Sequence, residues 1–204
     1  MNKFIKLPLI LALLTFLASS LIMFSETTTR DKIIEQKKIL LLTSLKQLIP
    51  DELHDNDLTA DSIDVFQKEL LGHRLKQTIY VGKLNNKITV HAIPVTSRKG
   101  YSGDIDIMVG IKQNGQITSI KIIEQHETPG LGDLIEEQKS DWIHQFPNQS
   151  LNVTQEKDFK VKRDGGQFDQ ITGATISPRA VVWAIKKALI YHKKYLSNNN
   201  ENQK

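Results

Sequence analysis

Residues 77–124 read QTIYVGKLNNKITVHAIPVTSRKGYSGDIDIMVGIKQNGQITSIKIIE. Apolar and polar residues alternate with a period of two through QTIYVGK, KITVHAIPV, DIDIMVGI and ITSIKIIE, so the stretch predicts four strands. Asn85-Asn86 and Asn114-Gly115 supply turns. In the third strand Ile105, Ile107, Val109 and Ile111 share one face while Asp104 and Asp106 take the other, the pattern of a half-buried sheet. Downstream, the sequence predicts a helix near Asp133 to Ser140, an extended piece around Phe159 to Lys162, and a strong helix from Pro178 to about Leu196. Hairpin-like strands with helices gathered at the ends make an α+β domain over residues 77–196.

Upstream, residues 7–24 (LPLILALLTFLASSLIMF) carry no charge, and Lys3 and Lys6 precede them. Eighteen residues at about 1.5 Å each reach ~27 Å, close to the ~30 Å hydrocarbon core of a bilayer. Ala18-Ser19-Ser20 resembles a signal-peptide cleavage site, but apolar residues Leu21 to Phe24 follow it, which favours an uncleaved transmembrane anchor over residues 1–24. The short basic N-terminus is expected in the cytoplasm and the remainder outside, on the periplasmic side of a bacterial inner membrane. Residues 25–76 form a connector and linker. Ile34, Leu41, Leu45 and Leu48 recur at helical spacing up to Pro50; residues 51–76 are expected to be irregular, with a short helix near Ser62 to Leu71. Residues 197–204 are a polar tail.

With 204 residues, 39% of them hydrophobic, the chain can bury one domain and carry an anchor, but cannot build two large domains. It has no cysteine, which excludes disulfides, iron–sulfur clusters, thiolate zinc sites and cysteine nucleophiles. Electrons would have to travel on an organic cofactor. The net charge of +4 is unevenly spread: residues 179–204 hold six basic residues and one acid, residues 25–178 hold 19 basic and 22 acidic. The basic end reads as a solvated face, with docking or anionic-lipid contact as the alternative, and not as a nucleic-acid surface. The six histidines have no metal-ligand spacing, and phosphate-loop, dinucleotide-binding and nucleophile-elbow motifs are missing. No catalytic residue and no metal ligand is assigned.

The segment Asp169-Gln170-Ile171-Thr172-Gly173-Ala174-Thr175-Ile176-Ser177 stands directly before the last helix. As local structure alone it is a turn at Gly173 and a helix start, with Ser177 as N-cap and Pro178 in the first helical position. That reading leaves Asp169, Thr172 and Thr175 without a reason. Thr175 stands where helix N–H groups and the helix dipole favour a phosphate group. Its hydroxyl suits a phosphoester, whose formation needs a modifying enzyme.

These residues match Asp-x-x-Ser/Thr-Gly-Ala-Ser/Thr-x-Ser/Thr, the pattern read by an ApbE-type flavin transferase, which moves FMN from FAD onto the second hydroxyl residue. The stretches KRDGGQFDQITGATISPRAVVWAIKKAL, GYSGDIDIMVGI and HETPGLGD resemble the G subunit of Rnf-type electron transport complexes, and the likeness runs through the whole chain. The resemblance implies an electron-transfer flavoprotein subunit with FMN joined through its phosphate to Thr175. It further implies other membrane and redox subunits of a complex coupled to ion transport as partners. Asp169 would then be recognised by the transferase, and Thr172, Gly173, Ala174 and Ser177 would belong to the FMN site. The loop Glu127, Thr128, Gly130, Leu131 would lie against the isoalloxazine, with Tyr101 and Ser102 nearby. Two glycines flanking Leu131 would let backbone N–H groups approach a planar ring; the same residues are also a common turn followed by a helix start. Trp142 and Phe146, four apart, would cover a ring face or belong to the core. Two other readings fit the residues: the C subunit of a sodium-translocating NADH:quinone oxidoreductase, and an anchored non-redox binding module.

Overall fold

The computed structural model describes residues 3–197. Asn85 and Asn86 have φ of 50° and 61°; two consecutive left-handed residues give the tight hairpin turn whose twist matches the strands it joins, here β2 (Gln77–Leu84) and β3 (Lys87–Ser97). Gly115, at φ 85° with its N–H donating 2.8 Å to the Lys112 carbonyl, closes the turn from β4 (Ile105–Lys112) to β5 (Ile117–Glu124). The four predicted strands are present. A fifth, β1 (Ser62–Val65), extends the sheet, and the order β1-β2-β3-β4-β5 is antiparallel throughout. The expected short helix near Ser62 is therefore corrected. Ile63 and Val65 alternate with polar residues along the edge of β2, Lys76 pairs with Asp64 at 2.7 Å, and only Lys68–Leu71 is helical (α2).

Ile105, Ile107, Val109 and Ile111 are buried together with Ile93 and Val95 of β3, under Val181, Ile185, Ala188 and Leu189 of the last helix, α3 (Ile176–Tyr195). The opposite face is not left to solvent as a half-buried sheet would require. Leu45, Leu48 and Ile49 are buried there, and a Cβ on Gly110 would come within 2.5 Å of the Leu48 carbonyl oxygen. The hydroxyl of Thr118 on β5 donates to that same carbonyl.

α1 (Lys3–Leu48) is one helix of 46 residues that runs without a break through the apolar span and the connector. The polar stretch Ser25 to Thr29 contains neither glycine nor proline to stop it. The chain divides into two compact units, Met1–Thr43 and Ser44–Lys204, so residues 51–76 belong to the second. Among the described residues no helix is long and apolar enough to cross a membrane. The side chains of Lys3, Lys6 and Ile34, and residues 198–204 of the tail, lie outside the described set.

The expected helix at Asp133 to Ser140 is a single 3-10 turn, Gly132–Ile135, because Glu136 is extended (φ −80°, ψ 139°). Ser140 then bonds backward to the Leu134 carbonyl at 2.6 Å and caps a second 3-10 turn, Asp141–Gln145. The extended piece near Phe159 survives as a parallel bridge between Val161 and Phe168, flanked by 3-10 turns.

Candidate functional site

Glu127 is a carboxylate with only 4% exposure, so it is held by whatever donates to it. Three groups from two other segments do: the Tyr101 N–H at 3.1 Å, the Ser102 N–H at 2.9 Å and the Ser177 hydroxyl. One side chain thereby ties the 101–103 turn, the 127–132 loop and the start of α3 together. Gly132 leaves the room this requires, since a Cβ there would lie 2.6 Å from Ser177 Oγ and 2.8 Å from Glu127 Cβ. The two glycines beside Leu131 thus have different local reasons. Gly132 makes way for the Glu127–Ser177 pair, whereas Gly130 has φ 73° and open space around it, the demand of a left-handed turn. Asp133 is also buried, and the Lys139 ammonium, 2.7 Å away, holds its carboxyl below the usual carboxylate range.

Above this knot opens a cleft of about 380 Å³, a size within the range of small-molecule sites. One wall is Tyr101, Glu127, Thr128, Leu131 and Gly132; the other is Gly173 to Ser177. The second wall is shaped by the turn from Ile171 to Ala174, whose N–H returns 3.1 Å to the Ile171 carbonyl, with Gly173 at φ 82°. The helix begins two residues earlier than Ser177 as N-cap would place it. Thr175 occupies the N-cap position, in helical conformation (φ −91°, ψ −22°), and its hydroxyl makes no capping bond. Ser177 is inside the first turn, buried, and spends its hydroxyl on Glu127. The N-cap assignment of Ser177 is corrected accordingly.

Most of the anticipated residues therefore meet at one cleft: Tyr101, Glu127, Thr128, Leu131, Gly173, Ala174, Thr175 and Ser177. Ser102, Gly130 and Thr172 stand outside its wall. Gly132, one of the two glycines expected beside the ring, lines the cleft too; sequence reasoning missed Ile176, which sat inside the quoted motif and needed only the true helix start to be noticed. Trp142 and Phe146 do not line it. Phe146 is fully buried against Phe168, 4.9 Å between rings, and the Trp142 indole N–H donates 2.7 Å to the Asp169 carbonyl. Asp169 is pinned again by Gln145, which accepts its N–H at 2.6 Å, while its carboxylate remains 63% exposed beside Lys162.

The cleft's chemistry suits a flat apolar ring with a phosphate. Leu131 is 42% exposed, Ile176 40% and Tyr101 69%, so three large side chains border it with little covering them. The first N–H groups of α3 have no partner within the helix, and a phosphate at Thr175 would meet them.

The model of the FMN-binding domain family matches residues 100–190. A protein of Shewanella baltica (strain OS223), named as the G subunit of an ion-translocating oxidoreductase complex, is 40% identical over 202 residues, 99% of this chain and 93% of its own. Its namesake in Aliivibrio fischeri (strain MJ11) is 39% identical over 92% of this chain and 90% of its own. The crystal structure of Shewanella oneidensis NqrC aligns with a TM-score of 0.46 at 19% identity, covering 66% of this chain and 69% of that one.

Proposed function

The chain belongs to the family of G subunits of ion-translocating oxidoreductase complexes, and from that membership we propose that it carries FMN as a phosphoester on Thr175 and serves as an electron-transfer subunit of such a complex. The observation that carries the attachment is the Thr175 hydroxyl: it makes no capping bond, lines the cleft, and precedes the first turn of a helix of 20 residues. Bound there, FMN supplies reversible uptake and release of electrons, which no side chain of this cysteine-free protein offers.

The protein's own share is to hold and to shield. α3 presents N–H groups and the positive end of its dipole to a phosphate on Thr175. Leu131, Ile176 and Tyr101 offer apolar surface to the ring, and Gly173 leaves room beside Leu131, whose Cδ2 a Cβ there would approach to 3.0 Å. Glu127 works from behind, fixing the two walls at one spacing. An ApbE-type transferase forms the ester: the Thr175 oxygen replaces adenosine monophosphate on the flavin phosphate, and the hydroxyl proton leaves to the transferase's base. Asp169, exposed on a backbone clamped by Trp142 and Gln145, is the residue offered to that enzyme.

α1 anchors the chain in the bacterial inner membrane with the domain on the periplasmic side. The side chains described without interruption, residues 10–24, are apolar except Thr15, Ser19 and Ser20 and are exposed all around the helix, and a helix this apolar on every side needs an apolar surrounding. They extend the sequence run that begins at residue 7. The test of the flavin assignment is the mass of the peptide containing Thr175, from protein made in a host with the transferase. An FMN adduct on that threonine is expected; a wild-type peptide of unmodified mass overturns the assignment.

A further inference from the structure

Ile176 lines two recesses. One is the Thr175 cleft; the other, about 350 Å³, lies along α3 and has buried Phe159, Val161 and Ala180 in its wall. Across the half-buried indole of Trp183 is a third recess of about 430 Å³, and Lys99 and Trp183 border both of these outer ones. The Lys99 ammonium stands 4.3 Å from the centre of the Trp183 ring and the Lys187 ammonium 5.6 Å.

The charges on these rims are unbalanced. Arg179 is paired with Asp164 and Lys186 with Glu156. Lys68, Arg98, Lys99, Lys160 and Lys187 form no ion pair with any described residue, and Glu69 is the one unpaired acid among the residues lining the two recesses. Five unpaired cations around one tryptophan are mutually repulsive, in a body where residues 25–178 hold more acids than bases. Such a wall is stabilised when carboxylates arrive from outside. Recesses of about 350 and 430 Å³ beside an indole have room for protruding side chains, which a flat layer of headgroups does not supply.

We propose that the Trp183 wall is the docking face for an acidic segment of another subunit of the same complex, its carboxylates on the Lys99 and Lys160 rim and an apolar side chain in a recess beside Trp183. The inference rests on the flavin reading for its purpose: because Ile176 is shared, a subunit docked on this wall stands next to the Thr175 cleft. Docking through charge would bring it there quickly and make the contact sensitive to salt.

The experiment uses the intact complex isolated from membranes and treated at low ionic strength with a zero-length carbodiimide, which joins lysine amines to carboxylates. Lys99, Lys160 or Lys187 should be linked to Asp or Glu of another subunit, and added salt should suppress those links. The proposal is overturned if these lysines stay unlinked, or link only within the chain or to a second copy, while Lys112 and Lys121 link to other subunits. A double variant, Lys99→Glu with Lys160→Glu, provides the second arm. Recovery of the other subunits on the tagged full chain should fall at least tenfold, with the FMN adduct on Thr175 retained as evidence of folding. If recovery is unchanged, the wall docks no subunit and the proposal fails. The Thr175 peptide mass reports separately on the flavin: links without an adduct would remove the flavin reading alone, and an adduct without links the docking face alone.

Discussion

Thr175 and Glu127 occupy the same cleft and answer to opposite tests. The Thr175 hydroxyl makes no capping bond, so Thr175→Val should leave stability within about 0.5 kcal/mol of the flavin-free parent. It should nevertheless abolish fluorescence of the denatured protein in a gel, because the atom that forms the ester is gone. Thr175→Ser keeps that atom and should keep the fluorescence; a fluorescent valine variant would sink the attachment. Glu127 touches three donors and supports two walls. In Glu127→Gln the amide nitrogen cannot accept, leaving at least one donor without its partner beside a buried side chain, at a cost of about 1 kcal/mol. Urea midpoints measure that loss, and an unchanged midpoint would show that the knot does not hold the fold. Both roles were only partly legible in the sequence. The motif marked Thr175, but Glu127 could be placed near the cofactor and not seen as the tie between segments, since its partners are 26, 25 and 50 residues away.

At the scale of elements, the packing of α3 on β3 encloses His91 and His192, rings 5.3 Å apart and each 1% exposed. Burial pushes His91 down to about 3 and His192 to about 4, from an ordinary value of 6.5, and burial also lowers His73. The unfolded chain therefore takes up protons below about 6.5 that the folded chain refuses. Stability should fall as pH drops from 6.5 toward 4, with a slope of up to about 1.4 kcal/mol per pH unit for each histidine. Urea titrations of the full chain in detergent, followed by the fluorescence of Trp142 and Trp183, measure it. The pair His91→Phe and His192→Phe should flatten the slope to what His73 and the lowered carboxylates such as Asp133 contribute; an unaltered slope would assign it elsewhere. The period of two made β2 to β5 readable in advance, and the apolar spacing with a proline near its start made α3 readable. β1 escaped because four residues on a sheet edge leave too few alternations to count. The 132–145 segment escaped because its helix-forming residues are redirected by long-range burial of Asp133 and local bonding by Ser140, neither of which is a property of spacing.

On the scale of the whole molecule, the family gives the chain its place in an ion-translocating complex, while its orientation turns on the N-terminus. Residues 7–24 bear no charge, so the helix has no internal reason to avoid a bilayer, and Lys3 and Lys6 precede it. Positive charge resists transfer across a bacterial inner membrane, so the proposed anchor predicts the short N-terminal segment in the cytoplasm and the domain outside. Arg30 and Lys32 follow the apolar run, but Glu26 and Asp31 stand among them. A reporter that is active only outside the cytoplasm, fused after Lys204, should therefore be active. The protein should also stay in the membrane after a high-salt wash and retain Met1 or Asn2, since Leu21 to Phe24 would leave a poor mature start after cleavage at Ala18-Ser19-Ser20. The proposed attachment depends on that orientation, because it requires Thr175 to stand on the same side of the membrane as the proposed transferase. Activity of a cytoplasmic reporter alone would put enzyme and threonine on opposite sides, and the ester on Thr175 would have no route to form.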